Sequence, residues 1–285
     1  MSDQIDEIQK WLRKKGYPLE MQVAKAFGDV GLRVQQGHYY QDLETGEQRE
    51  IDVLAREFSI FRIAPRLINI AVDVVVECKG HPPDRPFLVF STAKPDQGSG
   101  WRRLMCAGSR LGKGLVDYLE LDTDSLPLFK ADEEWIGYGM AQAKLGKKDG
   151  DNRDGAFGAL MQASKASCAL LGAPHLCTLS FPVVVVNGPL FDCHLDEQGE
   201  TVVTEVEEHV IEWAYPLPHG PAFHTVRVVT QRRLATFANE AARSAKALVE
   251  AYKVLPESLY LNAIERHEAE LQVQRIQESN HDEKF

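Results

Sequence analysis

Residues 67–80, LINIAVDVVVECKG, carry apolar side chains at Ala71, Val72, Val74, Val75 and Val76, broken only by Asp73. Such a continuous run predicts a strand buried on both faces. It ends on two charges, Glu77 and Lys79, which strand periodicity puts on one face. REIDVLAREFSIF before it reads as a second long strand, and LRVQQGHYYQD as a third, followed by a turn at LETGEQ. Helical spacing appears at Ile5, Ile8, Trp11 and Leu12. A second helix opens at YPLEMQVAKAFGDVGL, with Pro18 in its first turn and Gly31 as its stop. Its stripe is Leu19, Val23, Ala26 and Phe27, which sets Glu20 beside that stripe at the first turn.

Further strands are expected at FLVFST, FPVVVVNG, TVVTEVEEHVIEW and FHTVRVVT. A helix is expected over 155–172, with Phe157, Leu160, Met161, Ser164, Cys168 and Leu171 on one side, and two more over 231–252 and 256–278. Residues 94–154 are rich in glycine and charge and weakly periodic, so they read as irregular structure with one or two short helices. The order predicts one α/β domain over 1–230, with 94–154 inserted in it. Residues 231–285 then form a C-terminal helical appendage packed on the same domain.

The 285 residues can bury a sizeable core, and 44% hydrophobic with 26% charged is ordinary for a soluble globular chain. No apolar run reaches the ~18–20 residues a bilayer span needs, and the charged N-terminus lacks the apolar centre of a secretory signal. Five scattered cysteines without a CxxC pair read as reduced thiols, which points to the cytoplasm. The nine histidines form no HxH or HxxxH pair, against a histidine-held transition metal. The net charge of −10 argues against non-specific coating of nucleic acid, but the charge is patchy. Residues 101–113 carry Arg102, Arg103, Arg110 and Lys113 with no acid, and 144–148 carry Lys144, Lys147 and Lys148. Residues 191–213 hold eight acids and no Lys or Arg.

If the two long strands form a hairpin about IAPR (63–66), residues whose numbers sum to 129 lie opposite one another. Asp52 and Glu77 satisfy that sum. Directly opposed residues share a face with Cβ atoms ~4.5–5.5 Å apart, close enough for two carboxylates to share a divalent cation. Lys79 lies two residues on. This trio suits phosphodiester hydrolysis. Carboxylate oxygens hold Mg²⁺ and leave positions for water and phosphate, while the lysine orients water or offsets developing charge.

REIDVLA followed by VVVECKG, with 24 residues between Asp52 and Glu77, resembles the PD-(D/E)XK nuclease superfamily, the restriction-endonuclease-like fold. In that resemblance Asp52 and Glu77 match the two acidic positions, and Lys79 matches the lysine of the E-x-K motif. Glu20 matches the helical glutamate of many members. Ile51 stands where the family's motif has proline, and the acidic pair is further apart than in compact members. The likeness covers residues 16–90 and extends loosely through the helix at 155–172 and the strand at 182–187, implying an α-β-β-β-α-β core. It implies Mg²⁺ (or Mn²⁺) held by Asp52, Glu77, the Cys78 backbone carbonyl and, more weakly, Glu20. It also implies a nucleic-acid substrate, and the contexts it suggests are phage defence and DNA repair.

The expected function is therefore a metal-dependent nuclease cutting DNA, with the basic residues above facing phosphate; Gln162 and Lys165 on the 155–172 helix are further candidates, against a solvated helix side as the favoured account. Tyr39 and Tyr40 are candidates for stacking on a base, against ordinary strand packing. An RNA nuclease and a non-catalytic nucleic-acid-binding or scaffold module on the same fold are the alternatives. A homo-oligomer or a partner protein is compatible with the chain, and specificity would reside in 94–154 or in a partner.

Overall fold

The computed structural model describes residues 2–63, 65–80, 85–93, 105–119, 126–130, 134–143, 155–171, 176–215 and 222–265. The fold is mixed α/β, built on one large mixed sheet with helices against it. Two helices open the chain, α1 (Ser2–Lys15) and α2 (Tyr17–Asp29). An antiparallel meander follows: β1 (Arg33–Gln41), β2 (Gln48–Ile63) and β3 (Arg66–Gly80). Then come β4 (Phe87–Ala93), β5 (Ala107–Gly108), α3 (Arg110–Leu115), β6 (Trp135–Gln142) and α4 (Gly155–Ala169). Next are β7 (Leu176–Asn187), β8 (Leu190–Leu195), β9 (Thr201–Val206), β10 (Glu208–Tyr215), β11 (Ala222–Thr230) and α5 (Leu234–Lys253). The chain is helical again over 257–265.

The sheet runs β1-β2-β3-β7-β11-β10-β6-β4-β8-β9, with β5 on β7. Strands β3, β7 and β11 are mutually parallel, so their C-terminal ends lie along one edge. Helices α2 and α5 cover one face, where Phe27 and Phe237 meet edge to face with centroids 6.2 Å apart. Helix α4 covers the other, against Val184, Val186, Val226 and Val228. Because β3 and β7 are covered on both sides, their valine runs are continuous rather than alternating.

Several sequence expectations change in three dimensions. The buried stripe of α4 is made of small residues, Ala156, Ala159, Ala163, Ser164, Ala166 and Ser167, around Leu160 and Cys168, while Phe157 is exposed beside Trp213. Small side chains let the helix lie close to a flat valine surface, so the larger ring is turned outward. The segment expected to be irregular contains β6, which joins β4 to β10 within the sheet. Its residues Met105, Cys106, Leu111, Leu115, Val116, Leu128 and Phe129 belong to the largest core cluster. Helix α5 is equally internal: Phe237, Ala241, Ala245, Leu248 and Tyr252 are buried in that same cluster. In contrast, α1 turns Ile5, Ile8 and Trp11 to solvent, with Trp11 stacked on Tyr17. No helix among the described residues is long and apolar enough to cross a membrane.

Candidate active site

The β2–β3 hairpin fixes the site. Its pairs run from Val53↔Val76 to Ile63↔Arg66, each keeping the register expected from a turn centred on Ala64 and Pro65. The ladder stops at Val53, one residue short of Asp52 and Glu77. There the strand changes character. Ile51 packs with Tyr40 and Leu54 on the α4 side, whereas Val53 and Ala55 belong to the core under α2 and α5. Residues 51 and 53 would share a face in a regular strand, so β2 switches faces at Asp52. β1 switches too, from Val34 on one side to Tyr40 on the other. The pivot is Gly37, with φ +60°, at the one position skipped between Gln36↔Val53 and His38↔Ile51.

Freed from the ladder, the half-buried Asp52 turns its carboxylate onto β3, where Oδ2 accepts the Cys78 backbone N–H at 2.6 Å. Glu77 is 3% exposed. The Lys79 ammonium donates to its Oε1 at 2.7 Å, and its Oε2 is buried with no hydrogen-bond partner among the described residues. Glu20 enters from the first turn of α2, which docks at the end of β3. A Cβ on Gly80 would stand 3.6 Å from the Gly16 Cα.

The electrostatics tie these groups together. Burial and then the charge of Asp52 push the Glu77 carboxyl up to about 7, against the downward pull of Lys79. Asp52 is raised by burial, with the Cys78 N–H and Lys79 opposing. Glu20 is raised by burial and by Asp52 and Glu50. One lysine therefore faces more negative charge than it balances. Glu50, exposed on β2, is a member of this group that the sequence reading did not name. Its place two residues before Asp52 in REID was the available signal.

The remaining candidates are distributed differently. Cys78 is partly buried against the α2–α5 core, and burial pushes its thiol up. Lys165 ion-pairs with Asp42 at 3.1 Å and Glu44 at 2.5 Å, its side chain 12% exposed. That pairing anchors α4 to the β1–β2 turn, where Asp42 also accepts the Glu44 N–H at 2.9 Å. Burial pushes the Asp42 carboxyl up, but the Glu44 N–H and Lys165 more than offset it and hold it low. Tyr39 is exposed. Tyr40 is buried with its hydroxyl unpartnered, and burial and the charge of Asp42 raise its pKa. Gln162 is half-buried on α4. Lys113 is half-buried with its stem over Gly108, and Arg110 opens α3. Arg102, Arg103, Lys144, Lys147 and Lys148 lie outside the described residues.

Beyond Gly80 the edge continues into a cleft of about 580 Å³ lined by Asn187, Gly188, Pro189, Thr230, Gln231 and Arg232. Asn187 is the register partner of Gly80, and Gln231 bonds Gln22 of α2. Glu77 thus sits near the C-terminal end of β3, which is parallel to β7, with an open cleft beyond it, where α/β sheets commonly bind ligands. Among the described residues no three His, Cys, Asp or Glu side chains are grouped to hold a metal ion. The donors present are oxygen atoms, with Glu77 Oε2 buried and unused. That set suits a hard divalent cation which keeps several waters and is held by one or two carboxylates. Comparison with protein-family models, with curated proteins and with solved structures gave no significant match.

Proposed function

We propose that the protein is a divalent-metal-dependent nuclease that hydrolyses phosphodiester bonds of DNA. The observation that carries this reading is Glu77: a buried carboxylate with one oxygen on Lys79, the other unpartnered, and a second carboxylate raising its pKa. Unpartnered buried charge is costly, and a divalent cation held by Glu77 and Asp52 would offset that cost. The order α2, β1, β2, β3, α4, β7, with β7 parallel to β3, supports the α-β-β-β-α-β core that the motif resemblance implies.

In this reading Asp52, Glu77 and the Cys78 carbonyl would hold Mg²⁺ or Mn²⁺, which supplies an acidified water and polarises the phosphoryl group. Lys79 stands 2.7 Å from Glu77, where its ammonium can orient that water and offset charge developing on the phosphate oxygens. Glu20 adds negative charge from the helix side. Glu77, with its pKa near 7, gives up its proton in the neutral range, so metal affinity should rise with pH up to about 7.

The test combines cleavage and binding. Plasmid, linear and single-stranded DNA and RNA are incubated with Mg²⁺, Mn²⁺ or EDTA, while metal binding is followed by calorimetry. Wild-type protein should cleave DNA only with metal. Lys79→Ala should lower the single-turnover rate by ~10²–10³ while leaving metal affinity largely intact. Asp52→Ala should lose both. A second reading, a non-catalytic nucleic-acid-binding or scaffold module, is favoured by the absence of a three-ligand group among the described residues. It is the correct one if wild-type protein binds no Mg²⁺ or Mn²⁺ with nucleic acid present and cleaves nothing. Cleavage of RNA in preference to DNA would move the substrate to RNA.

A further inference from the structure

A second concavity lies on the α4 face of the same sheet, beyond the end of that helix. It measures about 520 Å³, within the range of small-molecule sites. Arg33, Gln35, Arg56, Phe58, Asn69 and Leu170 line it. Asn69 precedes Glu77 by eight strand residues, about 26 Å at ~3.3 Å each. The lining reaches back to Leu54, two residues from Asp52, but includes none of Asp52, Glu77, Lys79 and Glu20, and nothing about it depends on the nuclease reading.

Its charge is unbalanced in a specific way. Arg33 and Arg56 are direct register partners across β1 and β2. Like charges directly opposed on neighbouring strands repel. Asp73 answers one of them: Arg56 grips it through two hydrogen bonds, of 2.6 and 2.7 Å, and the carboxylate is fully buried. Arg33 has no acidic partner among the described residues, and its guanidinium lies over the Phe58 ring at 4.0 Å from the centroid. His38 nearby adds no charge, because burial and then Arg56 lower its pKa and favour the neutral imidazole. The rest of the lining combines the amides Gln35 and Asn69 with an apolar floor of Leu54, Phe58 and Leu170.

We infer that this concavity binds a small planar molecule bearing one phosphate or carboxylate. The anion would sit on Arg33, whose guanidinium supplies the forked donors such groups prefer, while Arg56, its Nε and Nη2 taken by Asp73, adds positive charge from the facing strand. The planar body would lie on Leu54 and Leu170 beside the Phe58–Arg33 stack, and the amides would take its polar edge. Phosphate and carboxylate share this chemistry, so the test separates them.

Full-length protein in EDTA is titrated by calorimetry with AMP, indole-3-acetate, adenosine and inorganic phosphate. AMP or indole-3-acetate should bind, and adenosine and phosphate should bind at least tenfold more weakly, because each supplies only half of what the site recognises. Arg33→Glu should weaken the amphipathic anion at least tenfold, the scale of one charged hydrogen bond. Asn69→Ala, a second variant should the first not fold, should weaken it severalfold. Binding of AMP alone assigns a phosphate site, and binding of indole-3-acetate alone assigns a carboxylate site. The inference is overturned if neither anion binds at millimolar concentration. It is equally overturned if adenosine binds as tightly as AMP, or if both variants leave the affinity unchanged.

Discussion

At Glu77 the competition is between one lysine 2.7 Å away and the combined effect of burial and Asp52. Burial and like charge win, which puts the folded pKa at about 7 against 4.5 for an ordinary glutamate. A carboxyl raised in this way binds its proton more tightly in the folded state than in the unfolded chain. Its stabilising contribution is complete below pH 4.5 and is lost as pH rises to about 7. Glu77→Gln keeps an acceptor for Lys79 and removes the ionisation. It should therefore be neutral at pH 4.5 and stabilising at pH 8, on the order of 2–3 kcal/mol. Urea denaturation of both proteins across that range measures the difference. An equal gap at both pH values would mean that Glu77 ionises normally. Under the proposed function, Mg²⁺ at pH 8 should raise the thermal midpoint of wild-type protein and not of the variant.

At the scale of the element, the β1–β2 pair matters most where it is least regular. Gly37 holds φ +60°, and a Cβ added there would lie 2.8 Å from Glu50 Oε1. Alanine is strained in that backbone region by roughly 1–2 kcal/mol, and the Glu50 side chain must also move. Gly37→Ala should lower stability by about that amount and weaken metal-dependent activity, because the face switch that releases Asp52 depends on this pivot. Denaturant midpoints and cleavage rates, read together, check it. Strand arithmetic predicted the β2–β3 register correctly through Val53, since the register follows from turn length and alternation. It did not foresee that alternation fails at Asp52. That failure comes from a glycine on the neighbouring strand, a pairing that the local pattern of β2 does not contain.

For the whole molecule, the C-terminal helix decides whether 1–230 can stand alone. Phe237 is 1% exposed, packed edge to face on Phe27, and Tyr252 is fully buried with its hydroxyl donating to the Gly112 carbonyl at 2.8 Å. Phe237→Ala should cost about 3–5 kcal/mol, and a chain ending at residue 230 should show no cooperative unfolding transition by circular dichroism. A truncated protein that melts cooperatively near the wild-type midpoint would make the helix a detachable addition. The internal place of residues 105–119 and 126–129 argues the same way, since they pack into the cluster that α2 and α5 share.

The amino-acid sequence alone determined what depends on near neighbours. The valine runs of β3 and β7, the Pro18 start of α2 and the short turn at Ala64–Pro65 are all local. With them came the antiparallel register and the neighbouring of Glu77 and Lys79 at the end of β3. Tertiary structure decided what depends on distant partners. Lys165, read from its helix as a candidate for phosphate, is held by Asp42 and Glu44, more than 120 residues earlier. The face of α4 is set by small residues because a flat sheet lies under it, and Phe157 is excluded for the same reason. The opposed Arg33 and Arg56 exist as a charge pair only once β1 and β2 are aligned. Burial and field are properties of the assembled core. The shift of Glu77, the idle oxygen beside it and the unanswered charge of Arg33 therefore appear only when the whole sheet and its helices are in place.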